Sequence, residues 1–349
     1  MRSVLSVFLF AVSAAAAQGP WHFVVSGDSR NCGDVVMPAI AKAAAHENAA
    51  FYWHLGDFRA IYLIDQDYAQ IHNPKQAKKP PTTDYLATAW QDFIAHQLKS
   101  FGETPVFLAF GNHELIPPMT SERLIAKFGY WLDMPVIARQ RLKDDHEDEA
   151  IHGYYHWVQD EIDFITLDNA ANRFDSAQLM WLRALLERDT EDASIRAVVT
   201  GMHEALPESI SKDHSMNQTL LGDASGLDAY HDLLDFKRKS GKPVYVLASH
   251  SHYYMPGIYD TAYWRSHGGV LPGWIVGTAG AERYKLPPGA PSGSKEHVYG
   301  YLEAIVSDSK EDPIHFEFHE LKESDVPQEV QQQFTPEFVH ACWLGNPDR

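Results

Sequence analysis

The chain has 349 residues, 45% hydrophobic and 22% charged, a composition that excludes disorder as the default and allows one large core or two ordinary ones. Its 47 Asp and Glu outnumber 29 Lys and Arg, for a formal net charge of −18. Such a surface repels polyphosphate backbones at long range and excludes non-specific nucleic-acid binding; an anionic ligand would need positive charge supplied locally.

The N-terminus reads as an export signal. Arg2 precedes an apolar run from Val4 to Val12, and Ala15-Ala16-Ala17 offers a small-residue cleavage site before Gln18. The run is shorter than the roughly 20 residues that span a bilayer. Residues 1–17 are therefore expected to be a cleaved signal peptide, with an uncleaved anchor as the alternative. The expected location is secreted or periplasmic, with no stable membrane insertion. The two cysteines, Cys32 and Cys342, are either a disulfide or two buried thiols, since spacing alone does not bring them together.

Five short apolar runs follow, each closed by a small residue and then a side chain able to bind metal. His22–Val25 leads to Ser26-Gly27-Asp28, Phe51–Leu55 to Gly56-Asp57, and Val106–Phe110 to Gly111-Asn112-His113. Ala197–Thr200 leads to Gly201-Met202-His203, and Val244–Ala248 to Ser249-His250-Ser251-His252. Runs this short and this rich in β-branched and aromatic residues read as buried strands. Helices are expected between them, from a cap at Asp34 to about Asn48, from Asp84 to Lys99, from Ser176 to Arg188 and from Leu227 to Lys239. Gly153–Val158 and Ile162–Leu167 form an expected hairpin, and Trp274–Val276, Tyr299–Val306 and Ile314–Leu321 three further strands. Alternating strands and helices imply sheets covered on both faces, with ligands collecting beyond the carboxyl ends of the strands. The expected fold is α/β: two mixed β-sheets packed face to face with helices outside, a four-layer αββα sandwich. Residues 116–150 read as a long excursion ending in a solvated acidic run, and residues 324–349 as a C-terminal tail with little core content.

Asp28, Asp57, Asn112, His203, His250 and His252 are too many ligands for one metal that must also leave room for substrate. Two ions sharing a carboxylate use them well, and the oxygen and nitrogen donors suit manganese, iron or zinc. Taken singly, each residue has an ordinary explanation as a turn, a helix cap or an interior histidine. Five in order, all at strand ends, do not.

At these residues the chain resembles the calcineurin-like metallophosphoesterase family, which includes the purple acid phosphatases. The family pattern is D-x-H, G-D-x-x-D/Y, G-N-H-D/E, a lone His, and G-H-x-H. Here it is matched by Asp28-Ser29-Arg30, Gly56-Asp57, Gly111-Asn112-His113-Glu114, His203 and Ser249-His250-Ser251-His252. The resemblance covers roughly residues 21–306, makes 18–323 the metallophosphoesterase domain, and implies roles. Asp57 would bridge two metals, Asp28 and His252 would bind the first, and Asn112, His203 and His250 the second. His113 would position the phosphate or protonate the leaving alcohol. A small phosphate ester, mono- or diester, would be the substrate.

Two departures stand out. Arg30 replaces the histidine of D-x-H, so the first metal loses a ligand and the guanidinium becomes a candidate clamp on substrate phosphate. Ala60 replaces the tyrosine whose phenolate colours the purple phosphatases. The rival reading is a non-catalytic ligand-binding protein on the same fold with an incomplete first metal site. Signatures of zinc proteases, serine hydrolases and nucleotide-cradling loops are absent from the sequence.

Overall fold

The computed structural model describes residues 19–72 and 81–344; the expected signal peptide lies outside them. Side-chain alternation along the apolar runs decides the layering, because successive residues of a strand face opposite ways. In β1 (Trp21–Ser26), β2 (Tyr52–Leu55) and β3 (Val106–Ala109), one set of side chains faces a second sheet. That sheet contains β4 (Tyr155–Gln159), β5 (Ile162–Thr166), β6 (Ala197–Gly201), β7 (Val244–Ala248), β8 (Tyr254–Pro256) and β9 (Gly273–Val276). The first sheet is completed by β10 (Tyr299–Val306) and β11 (Ile314–Leu321), in the order β11-β10-β1-β2-β3, and the second runs β4-β5-β6-β7-β9-β8. Both are mixed. β1-β2-β3 and β5-β6-β7-β9 are parallel, while β10, β11, β4 and β8 add antiparallel edges.

The layer between the sheets is aromatic. Phe107 stacks on Trp157 at 3.7 Å, and Phe51, Trp53 and Phe23 pack against Trp157 or Phe164. On the outer face of the second sheet, Val198, Val246 and Ala248 meet Leu182, Leu185, Leu233 and Leu234 of helices Ser176–Glu191 and Leu220–Ser240. On the outer face of the first, Tyr52 stacks on Phe101 and donates to Met37 of helix Gly33–His46. The structure is thus the expected αββα sandwich.

Three local expectations change. Asp34 does not cap its helix; Cys32 stands at the cap position, and the Asp34 carboxylate instead accepts from the fully buried Arg59 at 2.6 Å. Asp67 and Asp92 hold the same guanidinium, so the loops after β1 and β2 are cross-tied by one buried cation. The 116–150 excursion contains helices Ser121–Leu132 and Pro135–Asp144, whose Leu124, Phe128, Leu132 and Ile137 are core residues; its exposed acidic turn comes only after them. The C-terminal segment is no loose appendage: helices Gln328–Gln333 and Pro336–Leu344 bury Val330, Val339 and Cys342, with Phe334 between them. Cys342 is disulfide-bonded to Cys32 across a sequence separation of 310 residues, with Cα atoms 6.0 Å apart.

Closing so long a loop removes unfolded-state entropy equivalent to about 6 kcal/mol in the chain-entropy picture. Cys342→Ser is therefore expected to lower the denaturant midpoint by several kcal/mol equivalent; an unchanged midpoint would mean that packing alone holds the tail. A second expectation concerns His156, buried between Asp163 (2.8 Å) and Asp144. Burial opposes its charge, but the two carboxylates outweigh it and push the imidazolium up from 6.5 to about 9. A raised folded-state pKa stabilises fully below the unfolded value and loses that effect as pH rises through 9. The stability gap between wild type and His156→Gln should be on the order of 2 to 3 kcal/mol near neutral pH and should close above pH 9. Chemical denaturation across that range checks it, and a gap independent of pH would show that His156 is held uncharged.

Candidate metal centre

Three of the strand-end residues lie in the left-handed backbone region: Asp28 at φ 59°, Asp57 at φ 59° and His250 at φ 65°. For non-glycine residues this costs about 1 to 2 kcal/mol each and persists only where the surroundings enforce it. The turn throws each side chain back across the mouth of the sheets. Close approach also dictates the preceding glycines. A Cβ on Gly111 would sit 2.3 Å from Asp57 Oδ1 and 2.8 Å from His203 Cε1.

Four of the six candidate ligands meet at one point. The Leu55 carbonyl takes the Nδ1 proton of His203 at 2.8 Å, so the Nε2 lone pair faces inward. It meets His250 Nδ1 at 3.0 Å, Asn112 Oδ1 at 3.1 Å and Asp57 Oδ1 at 3.3 Å. A carboxylate, an amide oxygen and two imidazoles thus crowd together. A proton on one ring answers one of these three contacts, whereas a single cation answers all of them. Among the described residues, Asp57, His203 and His250 bring ligand atoms within 4.8 Å of one another. These donors fit a divalent ion.

The other two candidates, Asp28 and His252, adjoin the opposite edge of Asp57. Asp28 Oδ1 lies 3.2 Å from His252 Nε2, and its Oδ2 accepts from Ser249 Oγ and from His250 N at 2.7 Å. Arg30 stands among them, 7% exposed. Its Nη2 donates to His252 Nε2 at 2.8 Å, and its Nη1 to His113 Nε2 at 2.8 Å and to Tyr62 Oη at 3.2 Å. Its Nε lies 3.9 Å from Asp57 Oδ2. The candidate clamp and the candidate catalytic histidine are therefore in direct contact. Burial alone would raise both carboxylates, but His252 beside Asp28, His203 and His113 beside Asp57, and Arg30 beside both outweigh it. Both aspartates are held below the usual range, and both are charged.

Several residues that serve this centre carry no isolated sequence signal. Glu114 accepts from the backbone N–H groups of Asp57, Phe58 and Gly111 at 2.7 to 2.8 Å and so splices two ligand turns together. The Ala60 carbonyl takes the Nδ1 proton of His113 at 2.6 Å, and the Glu282 carbonyl that of His252 at 2.5 Å. Tyr284 stacks on His252 at 4.0 Å, and His214 packs edge-on against His250. Ser249, which departs from the family's glycine, supplies the hydroxyl on Asp28. Glu114, Ala60 and Ser249 stand within the family's motif blocks; Glu282, Tyr284 and His214 come from loops without a motif.

Solved structures with the same fold include a purple acid phosphatase from yellow lupin, Lupinus luteus, with a TM-score of 0.56, 15% identity and 87% of this chain covered. The chain spans about half of that protein, 52%. PhoD aligns with a TM-score of 0.54 at 12% identity, over 95% of this chain and 78% of the other. A dimetal phosphatase from Danio rerio aligns with a TM-score of 0.51 at 13% identity, over 85% and 98%. At these identities the likeness shows the fold. No curated protein matches the chain by sequence. The calcineurin-like phosphoesterase family model matches residues 22–254, a span that holds all five ligand turns. With two thirds of its length matched and its strand ends converging as described, the chain belongs to the calcineurin-like phosphoesterase family.

Proposed function

We propose that this chain is an exported, metal-dependent phosphoesterase that hydrolyses phosphate mono- or diesters of small molecules. The convergence of Asp57 Oδ1, Asn112 Oδ1, His203 Nε2 and His250 Nδ1 beside a buried guanidinium carries the reading. One carboxylate, one amide and two imidazoles suit manganese, iron or zinc. An ion held there would supply Lewis-acid polarisation of a phosphoryl oxygen and acidify a water. The remaining work falls to the chain's own groups. Arg30 binds and orients the phosphate by charge-assisted hydrogen bonds, in a buried setting where they are strong. His113 steadies the Arg30 plane through its Nε2 lone pair. It donates to a leaving oxygen only after gaining a proton there, since its own Nδ1 proton is committed to Ala60. Asp57 Oδ2, 3.5 Å from His113 Nε2, would stabilise that imidazolium. Export is supported by the leader-like N-terminal sequence and by the Cys32–Cys342 disulfide, a bond that persists in oxidising compartments. Among the described residues no helix is long and apolar enough to cross a membrane.

Hydrolysis of p-nitrophenyl phosphate and its bis-ester, with and without manganese, tests the reading. Asp57→Ala is expected to lower the rate by at least about 10³-fold and to reduce bound metal in parallel; full activity in a rigorously metal-free sample would overturn it. His113→Ala is expected to keep its metal and lose about 10²-fold or more on alkyl esters, with a smaller loss on nitrophenyl esters, whose leaving group needs no proton. Loss of metal together with rate would make His113 a ligand instead.

A further inference from the structure

The family resemblance implies two metal ions, and the residues at the first position do not fit one. We infer that the chain carries a single metal ion, at Asp57, Asn112, His203 and His250, and that the Arg30 guanidinium is the resident cation of the other position. The inference rests on the metal-dependent reading above and revises its stoichiometry.

Three observations support it. First, the histidine meant for that ion is already taken. His252 commits its Nδ1 proton to the Glu282 carbonyl, so its one remaining lone pair is on Nε2, and that lone pair accepts from Arg30 Nη2 at 2.8 Å. One lone pair cannot also coordinate a metal.

Second, the guanidinium lies beside Asp57 and within electrostatic reach of Asp28. Arg30 is held at His252, His113 and Tyr62, with Nε 3.9 Å from Asp57 Oδ2. Asp57 Oδ2 and Asp28 Oδ1 are buried and have no hydrogen-bond partner, so both look to nearby positive charge for compensation. Asp57 then serves as a bridge in a new sense, with Oδ1 toward the metal position and Oδ2 toward the guanidinium.

Third, one ion already supplies enough positive charge. Asp28 and Asp57 carry two negative charges; Arg30 and one divalent ion already exceed them. A second divalent ion would have to sit in contact with a guanidinium that is 7% exposed and cannot lose its proton.

The substitution also leaves a donor for substrate. Of the five N–H groups of Arg30, three meet His113, Tyr62 and His252. The Nε–H is buried and nearest to Asp57 Oδ2, and one Nη2–H remains. That N–H can bind a phosphoryl oxygen, a task that a metal ion would otherwise perform.

The test is a metal count. Wild-type protein loaded with manganese and freed of excess by gel filtration should hold one ion per chain by plasma mass spectrometry. Its electron paramagnetic resonance should be that of an isolated ion. Arg30→His, which restores a neutral ligand, should hold two ions and show an exchange-coupled pair. Two ions in the wild type would overturn the inference and leave the phosphoesterase reading standing. No ion in the wild type would overturn the metal-dependent reading itself. One ion in both forms would show that Arg30 is not what excludes the second. Should Arg30→His fail to fold, anomalous diffraction from manganese-loaded wild-type crystals decides alone. One peak at Asp57, Asn112, His203 and His250 is expected, and a further peak beside Asp28 would overturn the inference.

Discussion

Two carboxylates buried together, Asp28 and Asp57, need positive charge beside them, and much of the molecule is arranged to supply it. Ionised groups out of contact with water are costly unless compensated. The imidazoles around them do not supply it: their outward protons are committed to backbone carbonyls, at Leu55, Ala60 and Glu282, so that their lone pairs turn inward. The compensation comes from Arg30 and from backbone donors: Asp28 receives the N–H of His250, and Asp57 that of His113. A centre built of acceptors around two anions is stable only with cations in it, and that requirement links the architecture to the chemistry.

The scaffold meets the demand for precision with rigid parts. The ligand turns hang from parallel strands whose inner faces are locked by stacked aromatics, Phe107 on Trp157 and Trp157 on Phe164. Left-handed turns at Asp28, Asp57 and His250 store local strain that this packing can bear. Behind the turns, Glu114 splices the Asp57 and Gly111 segments, while Arg59, with Asp34, Asp67 and Asp92, ties the loop that carries Arg30 to the loop that follows Asp57. The disulfide at Cys32 fastens that first loop to the C-terminal helices as well. Displacing any of these supports would shift a ligand without touching it.

Arg30 changes the character of the site relative to what the family pattern implies. A metal ion binds ligands through lone pairs and accepts anions in any open direction. A guanidinium is planar, permanently charged and directional, and it offers fixed donors. Replacing one cation by the other keeps the electrostatic balance of the two aspartates while altering how an oxyanion is held, and Tyr62, 57% exposed, forms the solvent edge of that arrangement.

Much of this was legible in the sequence because it is local. Strand length, side-chain alternation and the small residue before each ligand are properties of a few consecutive positions, so the five ligand turns, the hairpin at 153–167 and the layered fold could be read directly. The helices at 121–144 lie inside a segment read only as a long excursion, although Leu124, Phe128 and Leu132 recur at the four-residue spacing of one helix face. Other features depend on distances between residues far apart in the chain. Only the folded chain decided that Cys32 meets Cys342, that Asp34 serves Arg59 rather than its own helix, and that Arg30 turns inward to His252 and His113. The sequence by itself determined which chemical groups stand at the strand ends; the tertiary structure decided which of them face one another, because pairing, burial and the direction of a lone pair are set by packing across the molecule and not by neighbours along the chain.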